Sequence, residues 1–319
     1  MTRSPFSAAV ALTLGLALSG CSGEEFDPFG RLTSLRILAI QSEPVAPGPG
    51  ESTTLTPLLY VPEDHGEPEF IWSWCPFAGS GAEGYPCEFD PSELAGDELG
   101  VAGIDLGIPP LELGSGETAT LQNTVNPMML AMICEGTEEA HAFINCDHGF
   151  PAQVKLTVRT DKEEVTAVRT LHLRYDATQA NNTNPVLDGF QIKIDGSWSD
   201  ADEDFSTLLE RDQTTDVRAL VSSEQAERYQ GPAGDAEGER ATVRERLNIG
   251  WFVESGSTRY QRTGFIENVS TFDILQENEW VPARSEDYSG ETSEIIMVLR
   301  DNREGTSWQR FTVGLTEQP

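Results

Sequence analysis

Lysine is almost missing from this chain: Lys155, Lys162 and Lys193 are its only lysines, and Lys and Arg together number 21 against 53 Asp and Glu. The resulting net charge of −32 repels other polyanions, so nucleic acid and bare anionic lipid surfaces are poor partners. Histidine is equally scarce, with only His65, His141, His148 and His172. No GxSxG elbow, SxxK, HExxH or lysine-bearing glycine loop accompanies them, which removes the usual signatures of serine hydrolases, zinc proteases and nucleotide-binding enzymes. The Gly-Ser-Gly triplets at 79–81 and 114–116 lack the strand-to-helix setting that phosphate binding needs. Paired carboxylates abound, but a chain this acidic produces such pairs by chance, and they do not argue for a glycosidase. Long apolar runs are missing as well. The longest is residues 8–18, far short of the roughly 20 residues that span a bilayer.

That short run has a different use. Arg3 supplies a positive start, the apolar core follows, and Leu18-Ser19-Gly20-Cys21 ends it with small residues before a cysteine. This ending resembles the lipobox of bacterial lipoproteins. The resemblance implies that residues 1–20 are a removed signal peptide and that Cys21 is diacylated, becomes the new N-terminus and is acylated again. Several acyl chains, at ~0.8 kcal/mol per buried CH₂, hold a protein durably where one chain does not. Ser22 stands where an Asp would signal retention, and by the same resemblance the destination is the outer membrane, on its periplasmic face or the cell surface. Residues 21–31 are small, acidic and Pro/Gly-containing, as suits a tether.

Export agrees with the remaining cysteines. Cys75, Cys87, Cys134 and Cys146 are an even set in an oxidising compartment and imply two disulfides. Three pairings are possible. The local ones, Cys75 with Cys87 and Cys134 with Cys146, are preferred because each closes a Gly-rich, polar loop that would otherwise be floppy, contributing ~3 kcal/mol apiece. No spacing suits zinc, apart from the loose Cys146-Asp147-His148.

Periodicity points to an all-β chain of two domains. Residues 32–175 form the first: strands are expected at 35–40, 53–61, where Pro57 argues for an edge, and 70–74. Val154, Leu156 and Val158 alternate with polar residues, a turn follows at 160–163, and Val165, Ala167, Leu171 and Leu173 resume the same period. Between Pro76 and Gly149 lies a long loop insertion with both disulfides and a short helix over 127–133 capped by Asn126. The polar segment 176–185 reads as a linker. Residues 186–319 form the second domain, with alternating strands at 190–194, 217–221 and 247–253, an exposed loop at 231–239, and a closing hairpin. In that hairpin 294–300 is a continuously apolar strand, 301–305 a turn, and Phe311, Val313 and Leu315 face inward.

Short strands at regular spacing, a tryptophan on an early central strand (Trp72 or Trp74, then Trp251) and a terminal hairpin resemble immunoglobulin-like and PKD-like modules of bacterial surface proteins. The whole arrangement is similar to tandem-domain lipoproteins of myxobacterial type. The resemblance implies two tandem immunoglobulin-like β-sandwich domains, although no cysteine pair occupies the inter-sheet positions of antibody domains.

Two further features bear on function. Asp200, Asp202 and Asp204 alternate like the first ligands of a calcium loop, but Phe205 replaces the required glycine and Arg211 the bidentate glutamate, so a solvated acidic loop is the preferred reading. Trp198, in the same loop, and Trp308, on the polar phase of the last strand, are candidate anchors for a partner. For Trp308, packing beneath the neighbouring domain is the preferred reading. The function expected is a non-enzymatic, lipid-anchored structural or interaction module that meets envelope or surface proteins and needs no cofactor. A ligand- or calcium-binding surface lipoprotein is the alternative, and a hydrolase the second alternative.

Overall fold

The computed structural model describes residues 29–75, 79–87, 107–134, 148–176, 181–201, 208–232 and 240–317. The leader, Cys21, Cys146, Asp202, Asp204 and the side chain of Cys134 lie outside that set, and with them the second disulfide and two thirds of the acidic triplet.

The first sandwich is built from β1 (Arg36–Glu43), β2 (Ser52–Tyr60), β3 (Glu69–Cys75), β4 (Glu112–Gly114), β5 (Ala119–Gln122), β6 (Phe150–Arg159) and β7 (Glu164–Leu173). They form two antiparallel sheets ordered β1-β2-β5 and β4-β3-β6-β7. Inward residues of both sheets make one core around Leu55, Trp72, Trp74, Leu121, Val154 and Leu171. Each indole N–H in it finds a carbonyl, Trp72 donating to Gly116 at 2.9 Å and Trp74 to Pro110 at 2.8 Å. Helix α1 (Pro127–Cys134) begins with proline at its first turn and with the Asn126 side chain accepting from Met128 N–H at 2.9 Å, as the sequence implies. The Cys75–Cys87 disulfide is present, tying the end of β3 to the following loop.

One expectation needs correcting. Pro57 does not mark an edge strand, because β2 is the middle of its sheet. The proline is tolerated since β5 pairs only Ser52 to Leu55, leaving β2 uncovered on that side at Pro57.

The second sandwich comprises β8 (Gly189–Ile194), β9 (Ser197–Asp200), β10 (Leu208–Glu210), β11 (Thr215–Leu220), β14 (Leu247–Val253), β15 (Ser257–Thr258), β16 (Arg262–Phe265), β17 (Glu277–Val281), β18 (Thr292–Arg300) and β19 (Thr306–Thr316). Between β11 and β14 an extra hairpin, β12 (Arg228–Pro232) and β13 (Arg240–Arg244), stands outside both sheets. A one-turn helix, α2 (Phe272–Gln276), precedes β17. The sheets are ordered β10-β19-β18-β14-β16 and β15-β17-β11-β8-β9, with β10 parallel to the final strand and the other pairs antiparallel. A fully buried Trp251 on central β14 donates to Thr263 Oγ1 at 2.9 Å. This is an immunoglobulin-like arrangement, and the fold is all-β with two such sandwiches.

The sandwiches meet along an apolar seam. Leu38, Ala39 and Leu58 of the first pack against Phe252, Ile296 and Val298 of the second, with Trp308 against the cluster. Polar bonds frame it: Arg300 donates to the Leu38 carbonyl at 2.6 Å, Gln41 to that of Thr306 at 2.7 Å, and Arg310 to that of Leu59. Arg169 occupies an inward position of β7 between Ala167 and Leu171, and its buried guanidinium donates to the carbonyls of Ile40 and Glu304 and to Ser42 Oγ and Thr306 Oγ1.

The segment read as a polar linker carries side chains that serve both sides. Asn181 accepts from Ala46 N–H at 3.1 Å. Asn182 donates to Asp301 at 2.8 Å. Asn184 donates to the Ser42 carbonyl at 2.9 Å and accepts from Thr306 N–H at 2.8 Å. Asp301, Arg303 and Gly305 of the 301–305 turn are correspondingly buried, with Asp301 Oδ1 accepting from the N–H groups of Arg303 and Gly305. A Cβ on Gly305 would lie 2.0 Å from the Asp301 carboxylate, so only glycine fits there.

Candidate functional site

At one end of the seam the sandwiches part around a cleft of about 480 Å³. The first sandwich contributes His172 from the outward phase of β7, His148 from just before β6, and Arg174 from just after β7. The second contributes the extra hairpin, with Arg228, Tyr229 and Arg240, and Arg303 from the β18–β19 turn. The hairpin forms because Ala241 and Val243 alternate with Arg240, Thr242 and Arg244, and Tyr229 pairs with Val243 across it. A Cβ on Gly231 would come 2.8 Å from the Tyr229 ring, so glycine there lets the ring lie along the hairpin.

The wall is a stack of rings and guanidinium groups. The His148 ring sits edge-on to His172 at 5.8 Å and to Tyr229 at 5.7 Å, and the Arg303 guanidinium lies 4.6 Å over the Tyr229 ring. Burial pushes the His172 imidazole down to about 4, assisted by neighbouring His148 and Arg169, so it stays neutral at physiological pH. Arg303 is buried and held by two carboxylates, Glu245 at 2.5 Å and Glu227 at 2.8 Å. Burial, then repulsion from Asp301, raises the Glu245 carboxyl to about 7 against the opposing pull of Arg303. Buried Arg174 pairs with exposed Glu51 at 3.0 Å, and exposed Arg228 with Glu267 at 2.5 Å.

The expected site residues fall elsewhere. Trp198 is not in a loop but on β9, because Asp195 and Gly196, both at positive φ, make a two-residue hairpin turn that continues β8 into it. On the outer sheet face Arg218 lies 4.4 Å and Lys193 5.6 Å from its ring. With half-exposed Tyr260, Trp198 lines a shallow depression that also holds Asp216, Arg259 and Glu279. Trp308 is partly buried and packs against the seam cluster between the sandwiches. Asp200 ends β9 and accepts from Gln191 at 2.7 Å. Among the described residues no group of three or more His, Cys, Asp or Glu is placed to hold a metal ion. No helix among them is long and apolar enough to cross a membrane.

Sequence reading missed the cleft. His148 and His172 are distant from Tyr229 in the chain, and only the seam brings them together. Two signals were nonetheless present: the alternation in 240–244, and a charged Arg169 in an otherwise apolar inward phase.

No protein-family model and no curated protein matches the chain. Among solved structures it is similar to three N-terminal domains of the bacteriophage RB49 outer capsid protein Hoc, at 11% identity and TM-score 0.21 over 90% of this chain and 71% of that one. It is also similar to a chimeric titin Z1Z2, at 11% identity and TM-score 0.20 over 90% of this chain and 98% of that one. The adhesin InvE of Yersinia pseudotuberculosis matches at 11% identity and TM-score 0.20 over 89% of this chain and 60% of that one. Likeness at this level carries no argument about activity or partners, and the all-β double sandwich rests on the strand order described above.

Proposed function

We propose that this chain is a lipid-anchored envelope protein of the outer membrane, attached through Cys21, and that its joined sandwiches serve as a non-enzymatic interaction module for envelope or surface proteins. The observation that supports this most is how the N-terminal segment enters the fold. Leu32 N–H bonds the Val253 carbonyl at 2.9 Å, Val253 N–H bonds that of Gly30 at 2.8 Å, and Phe29 packs on Phe252 at 5.3 Å. The chain therefore fastens to the second sandwich before it builds the first. A tether from Cys21 to Phe29, at about 3.5 Å per residue at most, holds the seam close to the lipid, and both sandwiches with it. With the sandwiches packed along the seam, the module presents its outer faces, Trp198 and Tyr260 included, in fixed relation to one another, which suits a binding scaffold.

Fractionation of cells expressing Cys21→Ala tests the anchor. The variant is expected in the soluble periplasmic or culture fraction, and retention with the membranes would refute lipid attachment. Crosslinking of the anchored protein in envelope membranes tests the module, with Trp198→Ala expected to lose a crosslinked partner that wild type captures.

A further inference from the structure

Charges on the outer face of the second sandwich are largely spent on one another. Asp216 stands opposite Glu279 across β11 and β17, and Lys193 opposite Trp198 across β8 and β9. Lys193 pairs with Asp216 at 2.9 Å and Glu279 pairs with Arg259, while Arg218 donates to Gln191 and stacks 4.4 Å from the Trp198 ring. The row therefore balances its own charge and ends on an indole.

Tyr260, beside that row, is pinned at its backbone and open at its ring. Buried Asn278 accepts from its N–H at 3.1 Å and donates to its carbonyl at 2.7 Å, and the Thr258 hydroxyl donates to the same carbonyl at 3.1 Å. The ring stays half exposed, as does Ile274 of α2, and both border with Trp198 a depression of about 550 Å³. A ligand settling there meets apolar surfaces that are already ordered, so little entropy is lost in arranging them. Three charged groups on the same lining remain uncommitted. Among the described residues the Asp273 and Glu277 carboxylates have no ion pair or hydrogen bond, and the Arg262 guanidinium has only the Phe29 ring, at 4.8 Å.

From this arrangement we propose that the depression binds a short neutral oligosaccharide. The proposal rests on reading this face as the recognition surface of the module, and it names glycan as a ligand of that surface. Each sugar hydroxyl both donates and accepts, so it can donate to the free carboxylates and accept from Arg262. The apolar C–H face of a sugar ring suits an exposed aromatic ring, and a site of this volume with few uncommitted polar groups is of small-molecule type. Net charge on the ligand finds no answer here. An anion meets two free carboxylates on a chain of net charge −32, and a cation meets Lys193, Arg259 and Arg262 on one lining. The depression lies over β8, β11 and β17, all interior to their sheet, so a peptide backbone finds no strand edge to extend.

Titration calorimetry on the full chain, in a polyoxyethylene detergent that carries no sugar headgroup, tests it with maltotriose, cellotriose, chitotriose and mannotriose as neutral probes and choline and glucuronate as charged ones. Saturable binding of at least one trisaccharide, and of neither charged probe, is expected. Tyr260→Ala removes the ring and leaves the backbone bonds in place, and it is expected to weaken that binding by about tenfold or more, with Glu277→Gln weakening it by about threefold or more. If Tyr260→Ala does not fold, Glu277→Gln decides. Failure of every trisaccharide to bind below about 10 mM overturns the proposal, and so does binding of a charged probe in their place or binding that both variants leave unchanged. Envelope crosslinking separates this from the wider reading. A protein partner lost in Trp198→Ala, with no trisaccharide bound, keeps the recognition face and removes its glycan. Trisaccharide binding with crosslinks indifferent to Trp198→Ala keeps the glycan and removes the protein partner.

Discussion

The two sheets of the second sandwich share one core and meet different worlds outside it. In β14 and β18 nearly every position is buried, whereas β8, β11 and β17 alternate between buried and accessible. Inward residues are alike: Ile249, Trp251, Ile295 and Met297 on one side, Phe190, Ile192, Val217 and Trp280 on the other. The outward phase separates them. Phe252, Ile296 and Val298 are apolar and covered by the first sandwich, while Gln191, Lys193, Trp198 and Arg218 make a polar, cation-bearing face open to solvent. An immunoglobulin-like sheet thus docks or stays free according to the residues of one phase, with the core left unchanged.

The sharpest way to break this comparison is to place the same charge on each sheet. Ile296→Asp buries an unpaired carboxylate in the seam and should cost more than about 4 kcal/mol, whereas Ser257→Asp on exposed β15 should stay within about 0.5 kcal/mol. Denaturant melts of the two variants decide it: equal costs would mean that the seam does not persist in solution. Arg169→Met comes next. It keeps the aliphatic stem but strands the Ile40 and Glu304 carbonyls in a buried setting, with an expected loss of about 3 kcal/mol. A variant as stable as wild type would show that the guanidinium costs as much to bury as its bonds return.

The disulfide provides a reference remote from both sheets. Cys75→Ser with Cys87→Ser releases a loop of sequence separation 12 and should lower stability by about 2 to 3 kcal/mol. Combined with Ile296→Asp the effects should add, and strong coupling would tie the first-domain loop to the seam.

Acidity sharpens the comparison at the cleft end of the seam. Glu245 is raised to about 7, so between its ordinary value near 4.5 and 7 the folded state holds a proton that the unfolded state has lost, and stability falls as pH rises through that window. His172 is lowered to about 4, so between 6.5 and 4 the unfolded state gains a proton that the folded state refuses, and stability falls as pH drops. Glu245→Gln should flatten the first slope and His172→Asn the second, each by at most about 1.4 kcal/mol per pH unit. Melting curves from pH 4 to 8 would show it, and unchanged slopes in both variants would place the two groups in water. The smallest effect belongs to the open sheet: Trp198→Ala should cost under about 1 kcal/mol, chiefly its stacking with Arg218 and Lys193. A larger loss would mean that the outer face is bracing the fold.

Much of this architecture was readable along the chain, and for a plain reason. Period-two alternation at 154–158 and 165–173 reports side chains sharing a face, and β6 and β7 pair there with the turn at 160–163. Asn126-Pro127 is a local helix start, and Cys75 and Cys87 lie close enough in sequence for local pairing. Short strands such as β10, β15 and β16 were not readable, since two to four residues carry no period. The candidate site is hardly readable at all, since His148, His172 and Tyr229 lie in separate stretches of the chain. Trp198, outside the cleft, reads as part of a loop because a tight Asp195-Gly196 turn leaves no long polar break before β9.

By itself the sequence determined the all-β character, the phases of the longer strands, the local disulfide and helix start, and the acidic surface. These depend on neighbours a few residues apart. Tertiary structure alone decided that the continuous apolar strand at β18 faces a second domain, that the asparagines of 181–184 fasten rather than merely connect, and that His148, His172, Tyr229 and four arginines share one cleft. Those outcomes depend on which surface is left to cover the outward phase of a sheet, and only a partner brought from more than 100 residues away can settle that.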